Sequence, residues 1–226
     1  MIRDNYQLIL ENIEKACRRV RRKPSEVQVL AVCKDQPLSR IRDAYACQIR
    51  LMGENRLQEA ETHMADLAAL NIEWHFIGKL QKNKINKILS VFNFIESVDG
   101  VKALEHIHKR VESETELFIE INIDEEKSKS GFTIDGLRKA LQYIANLNKV
   151  KITGLMTIPP FVDDPEAMRT FFSRMRALKD EINQQRIPNF QIRHLSMGMS
   201  HDYEIAVEEG ATIVRIGTAL FSRRSR

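Results

Sequence analysis

The chain has 226 residues, 43% of them hydrophobic and 29% charged, with a net charge of +4 at neutral pH. That balance suits a folded soluble protein of one large domain or two small ones. It argues against a membrane span, because no apolar run approaches spanning length, and against a disulfide framework, because the three cysteines are an odd number with no C-x-x-C spacing.

The chain begins "MIRDNYQLILENIEKACRRVRRK". It has no compact apolar stretch with a cleavage site behind it, and its acidic residues do not suit a transit peptide. Together with the cysteine count, this predicts a cytoplasmic protein. Tyr6, Ile9, Ile13, Ala16 and Val20 recur at helical spacing and predict an amphipathic first helix. The basic run "CRRVRRK" closes that helix, where cations suit the helix dipole. The remaining lysines and arginines are spread along the chain, which argues against a nucleic-acid surface.

Short β-branched runs then recur at 27–33, 49–52, 73–77, 94–98, 116–123, 150–158, 191–196 and 212–216. Each has the length of a buried parallel strand. Amphipathic helical patterns separate them. Leu57, Ala60, Met64, Leu67 and Ala68 form one stripe, and Val101, Leu104, Ile107 and Val111 another. A third is Met168, Phe171, Phe172, Met175, Leu178 and Ile182, with Asp164 as its cap and Pro165 and Glu166 in its first turn. Gly210 fits a helix stop. This alternation predicts an α/β fold, a single (β/α)8 TIM barrel over residues 1–226 with an extra N-terminal helix. A doubly wound open sheet is the alternative. No G-x-G-x-x-G follows an early strand, so its dinucleotide-binding version loses support.

In such a barrel the functional residues stand at the C-terminal ends of the strands. The first strand ends at Lys34, on the same face as Leu30 and Val32. An apolar rim would favour a neutral amine, able to form an imine with an aldehyde. A lysine that merely reaches solvent is the plainer reading. After the second strand Gly53 is read as a tight turn and Asn55 as an amide just beyond it. His75 shares a face with Ile77 at the third strand, where a packed, hydrogen-bonded histidine is the usual role. Lys79, Lys82, Lys84 and Lys87 read as a solvated basic face. The loop "NIDEEKSKSG" after the fifth strand reads as a polar rim. Met156 after the sixth could pack against a flat ring or simply fill core.

The last two strands end in "HLSMGMSHD" and "VRIGTAL". Ser196, Ser200, Gly217 and Thr218 would gather hydroxyls and backbone N–H groups at one point, with a helix predicted to begin near Ser200. Loops after strands seven and eight commonly bind phosphate in barrels. The alternative is two tight turns with serines as caps. Arg215, alternating with Val214 and Ile216, would project inward, where it needs an acceptor. A lysine for an aldehyde, a phosphate cradle and an interior arginine together point to pyridoxal 5′-phosphate.

"AVCK", "GEN" with "QE" behind it, "HFIGKLQKNK", "SKSGF", "GLMTIP", "SMGMSHD" and "VRIGTALF" stand in the order that resembles the pyridoxal phosphate homeostasis proteins, single-domain relatives of the alanine racemase N-terminal barrel. The resemblance implies a fold-type III-like barrel in which Lys34 carries the cofactor as an internal aldimine. It implies that Ser196, Gly217 and Thr218 hold the phosphate, with Met197 and Gly198 shaping that loop. It further implies Arg215 near the pyridine nitrogen, Asn55 and His75 near the ring, and Met156 packing close by. Cys33 and Ser222 depart from the serine and glycine that many relatives carry there. Because eight units and one helix use up the chain, the expectation is a cofactor carrier in intracellular homeostasis rather than an enzyme. It would be a monomer, with free amino acids and cofactor-dependent acceptor enzymes as further partners. The alternative is a pyridoxal-phosphate-dependent amino-acid racemase or related small enzyme, and a cofactor-free barrel lyase acting on a sugar phosphate is less favoured.

Overall fold

The computed structural model describes residues 1–126, 128–160 and 162–222, so Lys127 of the polar loop lies outside the described residues. The chain opens with α1 (Ile2–Arg19). Eight strand–helix units follow: β1 (Gln28–Val32) with α2 (Leu38–Ala46), β2 (Leu51–Glu54) with α3 (Leu57–Asp66), β3 (Glu73–Phe76) with α4 (Ile85–Val91), β4 (Phe94–Val98) with α5 (Val101–His108), β5 (Thr115–Glu120) with α6 (Ile134–Ala145), β6 (Val150–Met156) with α7 (Arg169–Gln184), β7 (Phe190–Ser196) with α8 (Tyr203–Glu208), and β8 (Ile213–Ile216) with α9 (Thr218–Phe221). Each strand pairs in parallel with the next, and β8 returns to β1 with Ala31 opposite Ile216, which closes a (β/α)8 barrel. No helix among the described residues is long and apolar enough to cross a membrane.

Alternation along the strands separates two apolar layers. Outward-facing residues such as Ala31, Met52, Phe76, Ile95, Leu155 and Val214 pack beneath the helices. Inward-facing Leu30, Leu51, Phe118 and Ile213 plug the barrel's lower interior, joined by Val32, Ile77 and Phe94. Each such side chain contributes roughly 1.5–3 kcal/mol through burial. The plug explains Gly53, which lies within β2 and not in a turn, opposite Val32 and His75. A Cβ there would stand 2.3 Å from Leu30 Cδ2. The glycine clears space for the plug, and β2 therefore runs two residues beyond the predicted end.

Two helices depart from expectation in detail. In α1, Val20 falls past the helix end and is 39% exposed, while Asn5 is buried. Its amide donates to the Leu220 carbonyl at 2.9 Å, where it satisfies the end of α9. Asn12 donates to the Tyr203 hydroxyl at 3.0 Å, so α1 braces both α8 and α9. In α3 the buried face is Leu57, Ala60 and His63, and Ala68 lies beyond the helix, exposed. Asp164 caps as expected by accepting from the Glu166 N–H at 3.0 Å, over one 3-10 turn that leads into α7.

Candidate functional site

Above the apolar plug the barrel interior turns polar. His75 on β3 is 1% exposed, and its ring stacks on Phe94 at 5.0 Å. Its Nδ1 meets Glu96 Oε1 at 2.5 Å and its Nε2 meets Glu73 Oε1 at 2.9 Å. Glu96, fully buried on β4, also accepts from the Ser196 hydroxyl. Arg215 on β8 donates from Nη1 to the Ser196 carbonyl at 2.6 Å and hydroxyl at 2.9 Å, and from Nη2 to the Thr157 carbonyl at 2.7 Å.

The charges of this network follow from its contacts. Burial alone would push His75 down, but its bonds to Glu73 and Glu96 outweigh that and push it up to about 9. Burial acts to raise Glu96, yet His75, Arg215 and Ser196 hold it below its ordinary value. Burial pulls Arg215 downward against Glu96, Asp202 and Glu120, and a guanidinium keeps its proton in any case. The interior thus carries two cations, His75 and Arg215, between the carboxylates of Glu96 and Glu73. With both nitrogens engaged, His75 supports what lies above it by charge and packing. The Ser196 hydroxyl is likewise spent on Glu96 and Arg215.

Lys34 stands on the rim, exposed, one residue past Cys33. The turn is tight, because Gln36 N–H bonds the Cys33 carbonyl at 3.0 Å. Asp35 has φ +57, a left-handed conformation that a non-glycine residue adopts at a cost. Gly217, at the end of β8, lies directly against Val32, and a Cβ on it would be 3.6 Å from Val32 Cβ. Lys34 and the loop after β8 therefore share one rim.

Beside them the β7 loop folds back. Met197 is buried outward among the helices and anchors that loop, its N–H bonding the Ile213 carbonyl at 3.1 Å. Gly198 has φ +89, and a Cβ there would meet Ala206 Cβ at 2.4 Å, so no other residue fits. Ser200 Oγ accepts from Ala219 N–H at 3.0 Å and ties the β7 and β8 loops together. Among the described residues no acceptor meets the N–H groups of Gly198, Ser200, Gly217 or Thr218. α8 does not begin near Ser200 as predicted. It begins at Tyr203, and Asp202 spends its carboxylate on Met199 N–H at 2.6 Å. The anion-binding capacity thus lies in loop N–H groups, not in that helix.

After β2, the strand next to β1, stands Asn55, whose Oδ1 is buried without a partner among the described residues. Met156 at the end of β6 is fully buried. A cavity of about 240 Å³ opens at this part of the mouth, lined by Ile77, Lys79, Glu120, Asn122, Lys129 and Ile158 among others. Sequence reasoning did not single out Glu120 or Glu96; an acidic residue at the end of one apolar strand and in the middle of another was the available signal. Burial and Asp99 push the Glu120 carboxyl up to about 7, against Arg215 and Lys79. An acid raised in the folded state binds more protons than in the unfolded one. Its share of stability is therefore lost as pH rises from its unfolded value through about 7. Glu120→Gln should remove that share, about 1–2 kcal/mol after allowance for solvent contact. Thermal melts at pH 5 and pH 8 should show a smaller difference in the variant than in the parent.

The match to known proteins covers this whole arrangement. The family model described as "Alanine racemase, N-terminal domain" matches residues 5–225. The pyridoxal phosphate homeostasis protein of Aquifex aeolicus is 42% identical over 219 residues, which is 96% of this chain and 95% of that protein. The structure of PipY from Synechococcus elongatus with PLP bound is 36% identical, with a TM-score of 0.81 over 93% of this chain and 100% of that one. An alanine racemase from Clostridium difficile shares the fold at 11% identity, with a TM-score of 0.74 over 99% of this chain but 58% of its own. The chain belongs to the family of the pyridoxal phosphate homeostasis proteins, built on the alanine racemase N-terminal barrel.

Proposed function

We propose that this protein binds pyridoxal 5′-phosphate at the C-terminal mouth of its barrel and serves intracellular homeostasis of that cofactor, as a carrier more than as an enzyme. The observation that carries the reading is the set of N–H groups at Gly198, Ser200, Gly217 and Thr218, on the same rim as Lys34, that meet no acceptor among the described residues. Unpaired backbone donors converging on one point suit a phosphate dianion. When bound, the cofactor supplies an aldehyde that an amine can hold reversibly through a carbon–nitrogen double bond.

Lys34 provides that amine. The two loops hold the phosphate mainly by backbone N–H groups, while Ser196 supports them by fixing Arg215. Arg215 faces the ring nitrogen and, having no lone pair to offer, cannot take or share a proton there. A ring nitrogen left neutral makes a weak electron sink, which favours holding over turnover. Asn55 offers its unpaired Oδ1 to a ring substituent, and Met156 and His75 close the floor. Free amino acids and acceptor enzymes are the partners proposed for cofactor release, and the protein is proposed to act in the cytoplasm as a monomer.

The test is spectroscopic. Purified protein mixed with the cofactor should develop an absorbance band, and borohydride followed by mass mapping should find the adduct on Lys34. An adduct on another residue, or no band, rejects the reading. Solvent deuterium entering an amino acid's α-carbon at a catalytic rate would favour a racemase instead.

A further inference from the structure

Behind the rim, on the helix side of β2, lies a second polar cluster that the cofactor reading does not use. Glu54 is fully buried with its side chain turned away from the barrel interior, and its Oε1 lies 2.8 Å from His63 Nδ1. Its Oε2 has no partner. His63, 6% exposed on α3, lies close enough to the Gln36 backbone for that group to favour the charged ring. One turn earlier on α3, Glu59 Oε1 accepts from Asp35 N–H at 2.6 Å. Arg56, at the start of the helix, reaches Asp35 Oδ1 at 3.5 Å. Arg56, Glu59 and His63 are spaced three and four residues apart, so they share one helix face. That face is turned to the three residues that follow Cys33, among them Lys34.

We propose that this face of α3 is a clamp on the Lys34 turn, in which Glu59 holds the Asp35 N–H, His63 holds the Gln36 backbone, and buried Glu54 orients the His63 ring. These are positioning residues; none of them touches the cofactor site. The turn needs such support. Asp35 sits in a strained left-handed conformation, which persists only where its surroundings over-determine it. The inference rests on Lys34 being the attachment point.

The proton between Glu54 and His63 completes the device. Burial pushes Glu54 up to about 8, helped by Glu59 and Asp35. Burial pushes His63 down, opposed by Glu59, Gln36 and Asp66. Cys33, on the neighbouring strand end, is held protonated by burial and by Glu54 and Glu59. At neutral pH the pair therefore shares one proton and bears no net charge. With Nδ1 satisfied by the shared proton, the far ring nitrogen is free to donate to Gln36. Above about pH 8 that proton leaves, and the ring's hold on Gln36 weakens.

The experiment uses the full chain freed of cofactor, with Glu59→Ala, His63→Ala and Glu54→Gln. Amide exchange by NMR gives protection factors at Asp35 and Gln36, and absorbance gives the rate at which added pyridoxal 5′-phosphate attaches. Glu59→Ala should lower Asp35 protection by about tenfold or more and slow attachment by about 5–20-fold, as expected when local opening becomes easier. His63→Ala should do the same at Gln36. Glu54→Gln, whose amide can donate to Nδ1, should keep parental values at pH 7 and lose the fall in protection expected of the parent above about pH 8. Unchanged protection and rate in both alanine variants, with Lys34 still modified, overturn the clamp and leave the cofactor reading standing. If Lys34 takes no cofactor in the parent, the cofactor reading falls, and the protection factors of the cofactor-free protein still decide the clamp. If His63→Ala does not fold, Glu59→Ala decides, because Glu59 is only half-buried.

Discussion

Lys34→Ala should lose the cofactor's absorbance band entirely and bind pyridoxal 5′-phosphate roughly 100-fold more weakly, a loss of about 3 kcal/mol. The fold should be indifferent. Lys34 is exposed and among the described residues makes no ion pair or side-chain hydrogen bond, and such surface changes typically move stability by less than about 0.5 kcal/mol. Residual binding should remain, because the N–H groups of Gly198, Ser200, Gly217 and Thr218 are backbone atoms that the substitution does not touch. The measurement is a titration followed by absorbance and, for the variant, by quenching of Trp74, which lies on β3. A variant that keeps the band would mean that another amine is the attachment point. A variant that loses both the band and its thermal stability would mean that Lys34 holds the rim together, against its exposure.

Much of this was legible because strand alternation carries position. Once Leu30 and Val32 are inward, Lys34 must follow them. Once Val214 and Ile216 pack outward, Arg215 must point in. The order of the loops then predicts that the β7 and β8 ends neighbour each other, and barrel closure through β1 brings Lys34 beside them. What alternation could not supply was the partner of each polar group. Ser196 and His75 face the interior, but their hydrogen-bonding atoms are claimed by Glu96, on the strand beside His75 and three strands from Ser196, whose acidity gave no sign of burial, and by Glu73, two residues before His75 on β3. Gly53 looked like a turn because a glycine's usual signal is conformational, whereas here it is steric and set by Leu30 from the adjacent strand. His63 was passed over because a histidine on a buried helix face interrupts an apolar stripe. Its meaning depends on Glu54, which faces outward from a strand where hydrophobic residues were expected. Glu96 lies 21 residues from His75 and 100 from Ser196, beyond any window of sequence, while the nearer pair Glu54 and His63 meets only once β2 and α3 pack together.

Glu96→Ala should be the most damaging single change in the barrel interior, costing about 3–5 kcal/mol, as expected when one member of a buried charged network is removed. The carboxylate lies between two cations. It receives His75 Nδ1 on one oxygen and the Ser196 hydroxyl on the other, and Ser196 in turn holds Arg215. Without it, Arg215 is left with the more distant Asp202 and Glu120, and His75, which Glu96 helps to hold near 9, keeps only the exposed Glu73 and must release its proton to remain buried. The sign of the pH effect follows. In the parent, His75 has a raised folded value, so its contribution is full below its unfolded value and is lost as pH rises through about 9. In Glu96→Ala that raised value falls, and stability between about pH 6.5 and 9 should become nearly flat. Glu96→Gln separates charge from hydrogen bonding. It can still accept from Ser196 and should recover part of the melting temperature, but not the His75 titration. The same variants should weaken cofactor binding in proportion to the disorder of Arg215, read as a shift in the cofactor's absorbance maximum. If Glu96→Ala melts with the parent and His75 still titrates near 9 by NMR, Glu73 alone sustains the network, and the interior charge balance derived from Glu96 is wrong.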